Sequence, residues 1–333
     1  MILEKLSSLL FELSSCDRLS ILKELVDGSI GVTKLSKKLG LTTQETSRQV
    51  FRLKEAGLLH KDHRGLYCLT SYAKLALNQL EGLDFLSRHK EYFKSHSLAH
   101  IPEDLILRIG DLADATYLSN VSQAFYGVER LIKEAENHIW LVSDQISFGI
   151  CCELAKALER GTKNRVIQTK SFVYLSSYVR DFWKFYEKNI VPIEQRTWAA
   201  GTLEDRLDDQ VDVFLFVSEK QAAVAFPLNN GKFDYLVFSG SGKRFHSWCS
   251  DAFNYYWPKA RPLGVVIKEP CEWVIDNPEA LSALERIIEG QEVRLRKDLA
   301  SGLERMQLTR RGNLTRLGFY VHNHLRQGSL RKA

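Results

Sequence analysis

The chain has 333 residues, of which 44% are hydrophobic and 26% are charged, and its net charge at pH 7 is +5. This composition is typical of a soluble globular protein, and the length predicts two or three domains. No apolar run approaches the ~18 residues of a membrane span. The N-terminus lacks the layout of a signal peptide. We therefore expect a cytoplasmic protein without a membrane partner.

The charges are distributed unevenly along the chain. Residues 1–75 carry 12 Lys and Arg against 8 Asp and Glu, and residues 286–333 carry 11 against 4. Since the whole chain has a net charge of +5, residues 76–285 have a net charge of −6. A basic end is typical of a module that contacts a polyanion. The acidic middle is expected to have another role.

The six cysteines predict no metal site and no cofactor. They are scattered, with no CxxC pair and no histidine at ligand spacing, and they are Cys16, Cys68, Cys151, Cys152, Cys249 and Cys271. Scattered cysteines of this kind usually serve as small core residues. A redox-sensing role for the adjacent Cys151 and Cys152 stays open, because reactivity depends on thiolate pKa and exposure.

Residues 35–70 have the pattern of a helix-turn-helix followed by a β-wing. Leu35 and Leu39 share one face of a short helix, and Gly40 permits the tight turn after it. An amphipathic helix around residues 19–25 precedes this pair. The arrangement is typical of a DNA-binding winged helix. Similar helical hairpins also occur as plain packing units, and some winged helices bind protein.

The second helix of this motif is predicted to begin at Thr42. Glu45 follows three residues later, which is the spacing of a capping box. One face repeats as a buried stripe of Thr46, Val50 and Leu53. The opposite face carries Thr43, Gln44, Ser47, Arg48 and Arg52. Short polar donors and arginines suit base edges and phosphates in the major groove of double-stranded DNA.

Residues 58–61 and 66–70 are predicted to pair as the two strands of the wing. The intervening turn is basic, and we expect Lys61, His63 and Arg64 to contact the DNA backbone.

The rest of the chain predicts an α+β multidomain protein. Residues 71–118 are expected to form a helical linker, in which a helix over 71–95 either forms the seam of a homodimer or packs on its own domain. In the α/β domain over residues 119–264, helices alternate with strands, which predicts a mixed sheet. The predicted strands are 138–143, 165–167, 191–195, 211–216, 222–226 and 235–238. The predicted helices are 151–160, 172–187 and 243–257.

The last predicted module, residues 265–333, is basic and mostly helical. Asn277 and Pro278 give a favourable helix start, with Asn277 as the cap. Two interpretations stay open for this module. It contacts DNA phosphates, or it packs on the acidic middle of the chain.

Two segments resemble a family of archaeal transcriptional regulators that join an ArsR-like winged helix to a domain named after a methanogenesis regulatory protein. In residues 92–112 the matching positions are Tyr92, Phe93, His96, Ile101, Pro102, Arg108, Ile109 and Gly110. In residues 233–261 they are Asp234, Phe245, Trp248, Cys249, Phe253, Tyr256, Trp257 and Ala260. The resemblance covers roughly residues 15–262. It implies a sequence-specific DNA-binding regulator whose sensor-like middle domain is related in fold to phospholipase D.

Phospholipase D chemistry needs a nucleophilic histidine, a lysine two residues later and an aspartate beyond it. The corresponding hairpin, residues 210–226, contains no histidine, and His246 has no lysine two residues later. We therefore expect no catalytic residues and no enzymatic activity. Residues 239–243 either hold an anion before a helix or form a plain turn. The alternative functions are a phospholipase-D-like phosphodiesterase or nuclease, and a DNA-binding structural protein of the chromatin type without a ligand.

An unknown small-molecule effector is also a candidate partner. Ser143, Asp144 and Ser239 lie at predicted strand ends, where open α/β sheets hold their ligands. Trp248 lies nearby on an aromatic helix whose other aromatic residues are expected to be core. These four residues are the predicted ligand site.

Overall fold

The computed structural model describes residues 2–291 and 293–326, without the side chains of residues 2 and 176–178. It divides into two compact units, a first unit Met1–Ser87 and a second unit Arg88–Ala333. The predicted domain boundaries at residues 70, 118 and 264 do not coincide with this division. Within the described ranges, no helix is both long and apolar enough to cross a membrane.

The first unit is a small helical domain with one hairpin. Its elements are α1 (Ile2–Leu13), α2 (Cys16–Glu24), α3 (Val32–Leu39), α4 (Thr43–Glu55), β1 (Leu59–Lys61), β2 (Tyr67–Leu69) and α5 (Ser71–Arg88), whose last residue lies beyond the boundary. Gly40 ends α3 in the left-handed conformation with φ 65°, which a residue without a Cβ adopts readily. Strands β1 and β2 are antiparallel. The predicted helix-turn-helix and wing hairpin are therefore confirmed as local structure.

This unit has its own hydrophobic core. The buried residues come from every helix from α1 to α5 and from the hairpin, and they include Ile21, Leu22, Leu35, Val50, Leu53, Leu58 and Ala73. The helical spacing of Val50 and Leu53 places both on the inner face of α4. The outer face of α4 is left to solvent.

The second unit begins within the predicted linker of residues 71–118, because the linker up to Ser87 belongs to the first unit. Its elements up to the main sheet's last helix are α6 (Lys90–Ser95), α7 (Glu103–Leu107), a 3-10 helix (Ile109–Asp114), β3 (Thr116–Leu118), α8 (Val121–Glu134), β4 (His138–Ser143), α9 (Phe148–Glu159), β5 (Lys163–Thr169), β6 (Val173–Tyr174), α10 (Ser176–Asn189), α11 (Val191–Ala199), β7 (Leu203–Asp208), β8 (Phe214–Ser218), β9 (Ala222–Ala225), β10 (Val237–Gly240) and α12 (Lys243–Tyr256).

The remaining elements include the edge strand of the sheet and the C-terminal helices. They are β11 (Arg261–Pro262), α13 (Leu263–Asp276), α14 (Pro278–Ile288), α15 (Lys297–Arg305), β12 (Thr309–Arg310), β13 (Asn313–Thr315) and α16 (Arg316–Arg326).

A mixed eight-stranded sheet organises the second unit, with strand order β11-β7-β5-β4-β8-β9-β10-β3. Strands β4, β5 and β7 are parallel neighbours, and the other pairs are antiparallel. Successive residues of a strand point to opposite faces. Phe214 and Phe216 thus belong to the core shared with α8 to α11, while Leu215 and Val217 are buried on the other side of β8. The predicted mixed sheet is confirmed.

The C-terminal segment is part of this second unit. Residues of α13, α14, α15 and α16 share one continuous core with α8 to α11, including Cys271, Leu284, Leu303 and Val321. Strand β13 also pairs with β6, which lies 140 positions earlier at Leu314 and Tyr174. The separate module predicted for residues 265–333 is therefore not a separate folding unit, because its apolar stripes are buried against the middle of the chain.

Several predicted elements were wrong. Residues 191–195 form the start of helix α11, since Pro192 lies in its first turn, where its missing N–H costs no hydrogen bond. Strand β7 was missed because its sequence, LEDRLD, is mostly charged, although Leu203 and Leu207 are buried. The helix predicted over 71–95 is divided into α5 and α6 at His89.

Candidate nucleic-acid interface

Helix α4 begins with the predicted capping box. The Oγ1 of Thr42 accepts a hydrogen bond from the backbone N–H of Glu45 at 3.1 Å, and the backbone N–H of Thr42 donates to Oε2 of Glu45 at 3.1 Å. These bonds satisfy two backbone donors that a helix end leaves free. The cap therefore fixes where the first turn of α4, with its exposed polar side chains, begins.

Replacing Thr42 by Ala is expected to lower the free energy of unfolding by ~1 kcal/mol, because the Glu45 N–H loses its acceptor. Thr43→Ala is the matched control, since Thr43 is exposed and lies inside the helix. Urea denaturation of both variants measures the difference. Equal stability of the two variants would contradict the role given to the cap.

Four of the residues predicted to read DNA share the exposed side of α4. Thr43, Gln44, Ser47 and Arg48 are all exposed, while Thr46 is fully buried. Residues three and four apart are neighbours on a helix surface. The structure thus brings hydroxyl, amide and guanidinium groups together near the helix N-terminus.

Arg52 differs from the other predicted contacts. Its Nη2 donates to Oε1 of Glu12 at 2.9 Å, and its guanidinium lies 5.3 Å from the ring centre of Phe11. Nε of Arg18 lies 3.1 Å from the other oxygen of Glu12, and Nη1 of Arg18 donates to Oε1 of Gln49. Arg52 is therefore held by α1, and reading a base would require breaking this ion pair. Sequence spacing gave no signal for a partner forty positions away.

The wing keeps its predicted cations at the surface. Lys61, His63 and Arg64 are exposed. Oδ1 of Asp62 accepts hydrogen bonds from the backbone N–H groups of Arg64 and Leu66, at 2.9 and 2.8 Å, and so shapes the turn. Nζ of Lys61 lies 5.1 Å from the ring centre of Tyr67. A turn stiffened in this way presents its cations in a fixed position.

Helix α3 adds cations that sequence reasoning did not include. Lys34 and Lys37 are exposed, and Lys38 is ion-paired with Glu24 at 2.6 Å. The available signal was the helical spacing, which places Lys37 opposite the buried Leu35. The whole first unit carries 12 Lys and Arg against 10 Asp and Glu, a net charge of +2. The net charge of the first unit is therefore small, and most of its exposed cations lie on α3, on α4 and on the wing.

The predicted ligand residues of the second unit bond to the protein itself. The hydroxyl of Ser143 donates to the carbonyl of Gln145, and that of Ser239 donates to the carbonyl of Ala222. Trp248 has no exposed surface, and its indole N–H donates to the carbonyl of Leu105 at 2.9 Å. The Trp248 ring, predicted as part of the ligand site, thus fills the core beneath α12 and presents no surface to a ligand.

Asp144 lies in a polar cluster that only the fold assembles. Its Oδ2 accepts a hydrogen bond from the Tyr235 hydroxyl at 2.8 Å, and its carbonyl accepts one from Nη1 of Arg316 at 2.8 Å. Burial raises the pKa of Asp144, and the hydrogen bond from Tyr235 opposes that rise. Arg316 is itself 2% exposed and also donates to the carbonyl of Thr169 at 3.1 Å. The cluster joins α16 to the ends of β4 and β5.

No protein-family model matches the chain, and no curated protein matches it in sequence. Among solved structures, the chain is similar to TrmBL2, described as an archaeal chromatin protein with a novel mode of DNA binding. The sequence identity is 17% and the TM-score 0.34, over 74% of this chain and 92% of the other. It is also similar to Nuc from Salmonella typhimurium, a phospholipase D family member, at 10% identity and a TM-score of 0.28, over 40% and 87% of the two chains. TM-scores at this level establish neither a shared fold nor a shared function.

Proposed function

We propose that the first unit binds double-stranded DNA and that the protein is a sequence-specific transcriptional regulator. The observation that carries the proposal is the exposed group of Thr43, Gln44, Ser47 and Arg48 on a capped helix. A helix fits the ~12 Å wide major groove, where donors and acceptors of these types discriminate between base pairs.

The wing supports the same mode of binding. Lys61 and Arg64 lie on the hairpin that follows α4 and are free of ion pairs among the described residues. Cations beside a recognition helix neutralise phosphates and set the protein's register on the duplex. Phosphate contacts of this kind add affinity for every sequence, whereas the α4 side chains add discrimination.

We further propose that the regulator acts as a homodimer. Large apolar residues are exposed on α1, where Leu3 is 78%, Leu6 50% and Leu10 46% exposed, and on α5, where Leu75 is 64% exposed. Leu3, Leu6 and Leu10 recur at helical spacing, so they form one unpartnered stripe. A second copy of the chain is the proposed occupant. A monomeric mass in sedimentation equilibrium, with and without DNA, would contradict the dimer.

Arg48→Ala is expected to weaken binding to a duplex selected from random sequence by ~1–3 kcal/mol, because the guanidinium loses its base contact. Lys61→Ala should weaken binding to all sequences alike and reduce the salt slope by about one. Titrations of labelled duplex at several salt concentrations measure both effects. Arg180→Ala, an exposed arginine of the second unit, is the matched control.

Two outcomes would contradict the DNA-binding proposal. One is the absence of duplex binding by the wild-type protein at low salt. The other is an Arg48→Ala variant that binds the selected duplex as tightly as the control variant does. Binding that is weakened equally on all sequences by Arg48→Ala would instead favour the architectural, chromatin-type role.

For the second unit we propose sensing or assembly without catalysis. The hairpin of β8 and β9 carries no histidine, and His246, on α12, lies with its Nε2 2.6 Å from the carbonyl oxygen of Ser218. The His246 imidazole is therefore hydrogen-bonded to the backbone. Turnover of a phosphodiester substrate by the purified protein, abolished by His246→Ala, would overturn this proposal.

A further inference from the structure

The second unit contains a cleft that none of the predicted residues lines. It has a volume of about 640 Å³ and lies between α11, β7, α13 and α16. Its apolar wall includes Trp198, Leu263 and Ile267, and its polar groups include Asp205 and His324. This size and mixture of groups is typical of sites for small molecules, in which a few polar groups orient an apolar body.

A smaller cavity of about 60 Å³ lies behind the cleft, and Asp205 and Tyr320 line both spaces. Glu194 and Asn164 also line the inner cavity. Asn164 is 1% exposed, and its Nδ2 has no hydrogen-bond partner; Oε2 of Glu194 is likewise buried and unpartnered, both within the described part of the chain. Buried polar groups are normally paired. Oε2 of Glu194 is an acceptor, so it marks a place where a hydrogen-bond donor from outside the chain is accommodated.

The two carboxylates have few partners of their own. Oε1 of Glu194 accepts a hydrogen bond from the Tyr186 hydroxyl at 2.5 Å, and Oδ2 of Asp205 accepts one from the Trp198 indole at 2.6 Å. Over residues 2–291 and 293–326, neither carboxylate lies in an ion pair. Burial raises the pKa of Glu194 to about 8 and that of Asp205 to about 6, and the charge of Asp205 adds to the rise at Glu194.

The cations nearest to this site are engaged elsewhere. Nη1 of Arg206 donates to the carbonyls of Trp257 and Ala260, and the guanidinium stacks on the Trp257 ring at 4.3 Å. Arg316, at the other end of the inner cavity, bonds the carbonyls of Asp144 and Thr169. Burial lowers the pKa of His324, which is therefore neutral at pH 7. Both guanidinium groups thus donate to neutral carbonyls, and neither forms an ion pair with Glu194 or Asp205.

We propose that this cleft and its inner cavity bind a small organic cation, a protonated amine on an apolar body. The ammonium group donates hydrogen bonds to Glu194 and Asp205, and the apolar body packs against Trp198, Leu263 and Ile267. An ammonium has three donors and no acceptor, which matches two carboxylates better than a neutral or anionic group does. The inference gives a ligand class to the sensing role proposed for the second unit and rests on that role only for its biological meaning.

The test is isothermal titration of the full-length protein with n-hexylamine at pH 8, with 1-hexanol and hexanoate as probes of equal chain length. Saturable binding is expected for the amine alone. Binding of all three probes alike would show an apolar cleft without a cation site and would overturn the proposal, as would the absence of saturable amine binding. No DNA is present, so either failure leaves the DNA-binding proposal untouched.

Asp205→Asn is expected to weaken amine binding at least about tenfold, because a charge-assisted hydrogen bond is lost. The fold should survive, since the amide oxygen still accepts from Trp198 and the repulsion of Glu194 is removed. Glu194→Gln is a second variant with the same expectation. The control is Asp209→Asn, an exposed aspartate just after β7 whose side chain contacts Lys170. Unchanged affinity in both cavity variants would overturn the proposal.

Proton release on amine binding distinguishes direct contact between Glu194 and the ligand from a purely structural role of Glu194. The titratable groups facing the carboxylate pair are Tyr186 of α10, Cys151 of α9, Tyr174 of β6, and Tyr320 and His324 of α16, and the charged groups are Arg316 of α16 and Glu204 and Arg206 of β7. Burial raises the pKa of the three tyrosines and of Cys151, and it lowers the pKa of His324. These five titratable groups are therefore neutral at pH 7. Amine binding at pH 7 should ionise Glu194 and release protons, seen as different heats in buffers of different ionisation enthalpy. Equal heats would overturn the assignment.

Discussion

A chain truncated after Ile275 is expected to lose the cooperative unfolding transition of the second unit. The deletion removes Leu284, Ile288, Leu314 and Val321, each no more than 1% exposed and each part of the core shared with α8 to α11. Burial of one such side chain contributes ~1.5–3 kcal/mol. Four of them together match the ~5–15 kcal/mol that stabilises a whole domain.

Scanning calorimetry of the truncated and full-length proteins measures this loss. The first unit has its own core and should keep its transition, which serves as the internal control. The experiment also separates the two interpretations of the basic C-terminal segment. A second unit with an unchanged melting temperature, together with weaker DNA binding and a shallower salt slope, would favour phosphate contact and contradict the packing seen here.

The second large effect is expected for Arg316→Ala, which should lower the free energy of unfolding of the second unit by ~3–5 kcal/mol. Arg316 is 2% exposed, donates to the carbonyls of Asp144 and Thr169, and lies 4.8 Å from the ring centre of Phe172. Its loss leaves two buried carbonyls without these donors and the Asp144 carboxylate without its nearby cation.

Urea denaturation measures this effect, with Arg310→Ala as the matched control. Arg310 is exposed on β12, so its removal should change stability by no more than ~0.5 kcal/mol. Arg316→Met should fall between the two, because it restores apolar volume without the donors. An Arg316→Ala protein as stable as the control would show that the buried guanidinium contributes little to the fold.

The sequence by itself determined the local structure of the first unit. The capping box of Thr42 and Glu45 and the buried stripe of Val50 and Leu53 each depend on residues a few positions apart. Capping hydrogen bonds and hydrophobic periodicity over one or two helical turns are determined by residues that are close together in the sequence. For the same reason the exposed face of α4 was predictable, and the hairpin of β1 and β2 was placed within one residue at each end.

The tertiary structure alone decided which distant groups meet. Arg52 was expected on the DNA-reading face, yet Glu12, forty positions earlier, holds it by an ion pair. The carboxylates of Glu194 and Asp205 face one cavity because α11 packs beside β7, and the sequence had marked residue 194 as part of a strand. Arg316 belongs to a segment that was predicted from its charge to be a separate basic module, but its side chain is buried at the ends of β4 and β5. Pairings of this kind depend on how elements pack, and residue order alone does not encode the distance between groups that lie far apart in the chain.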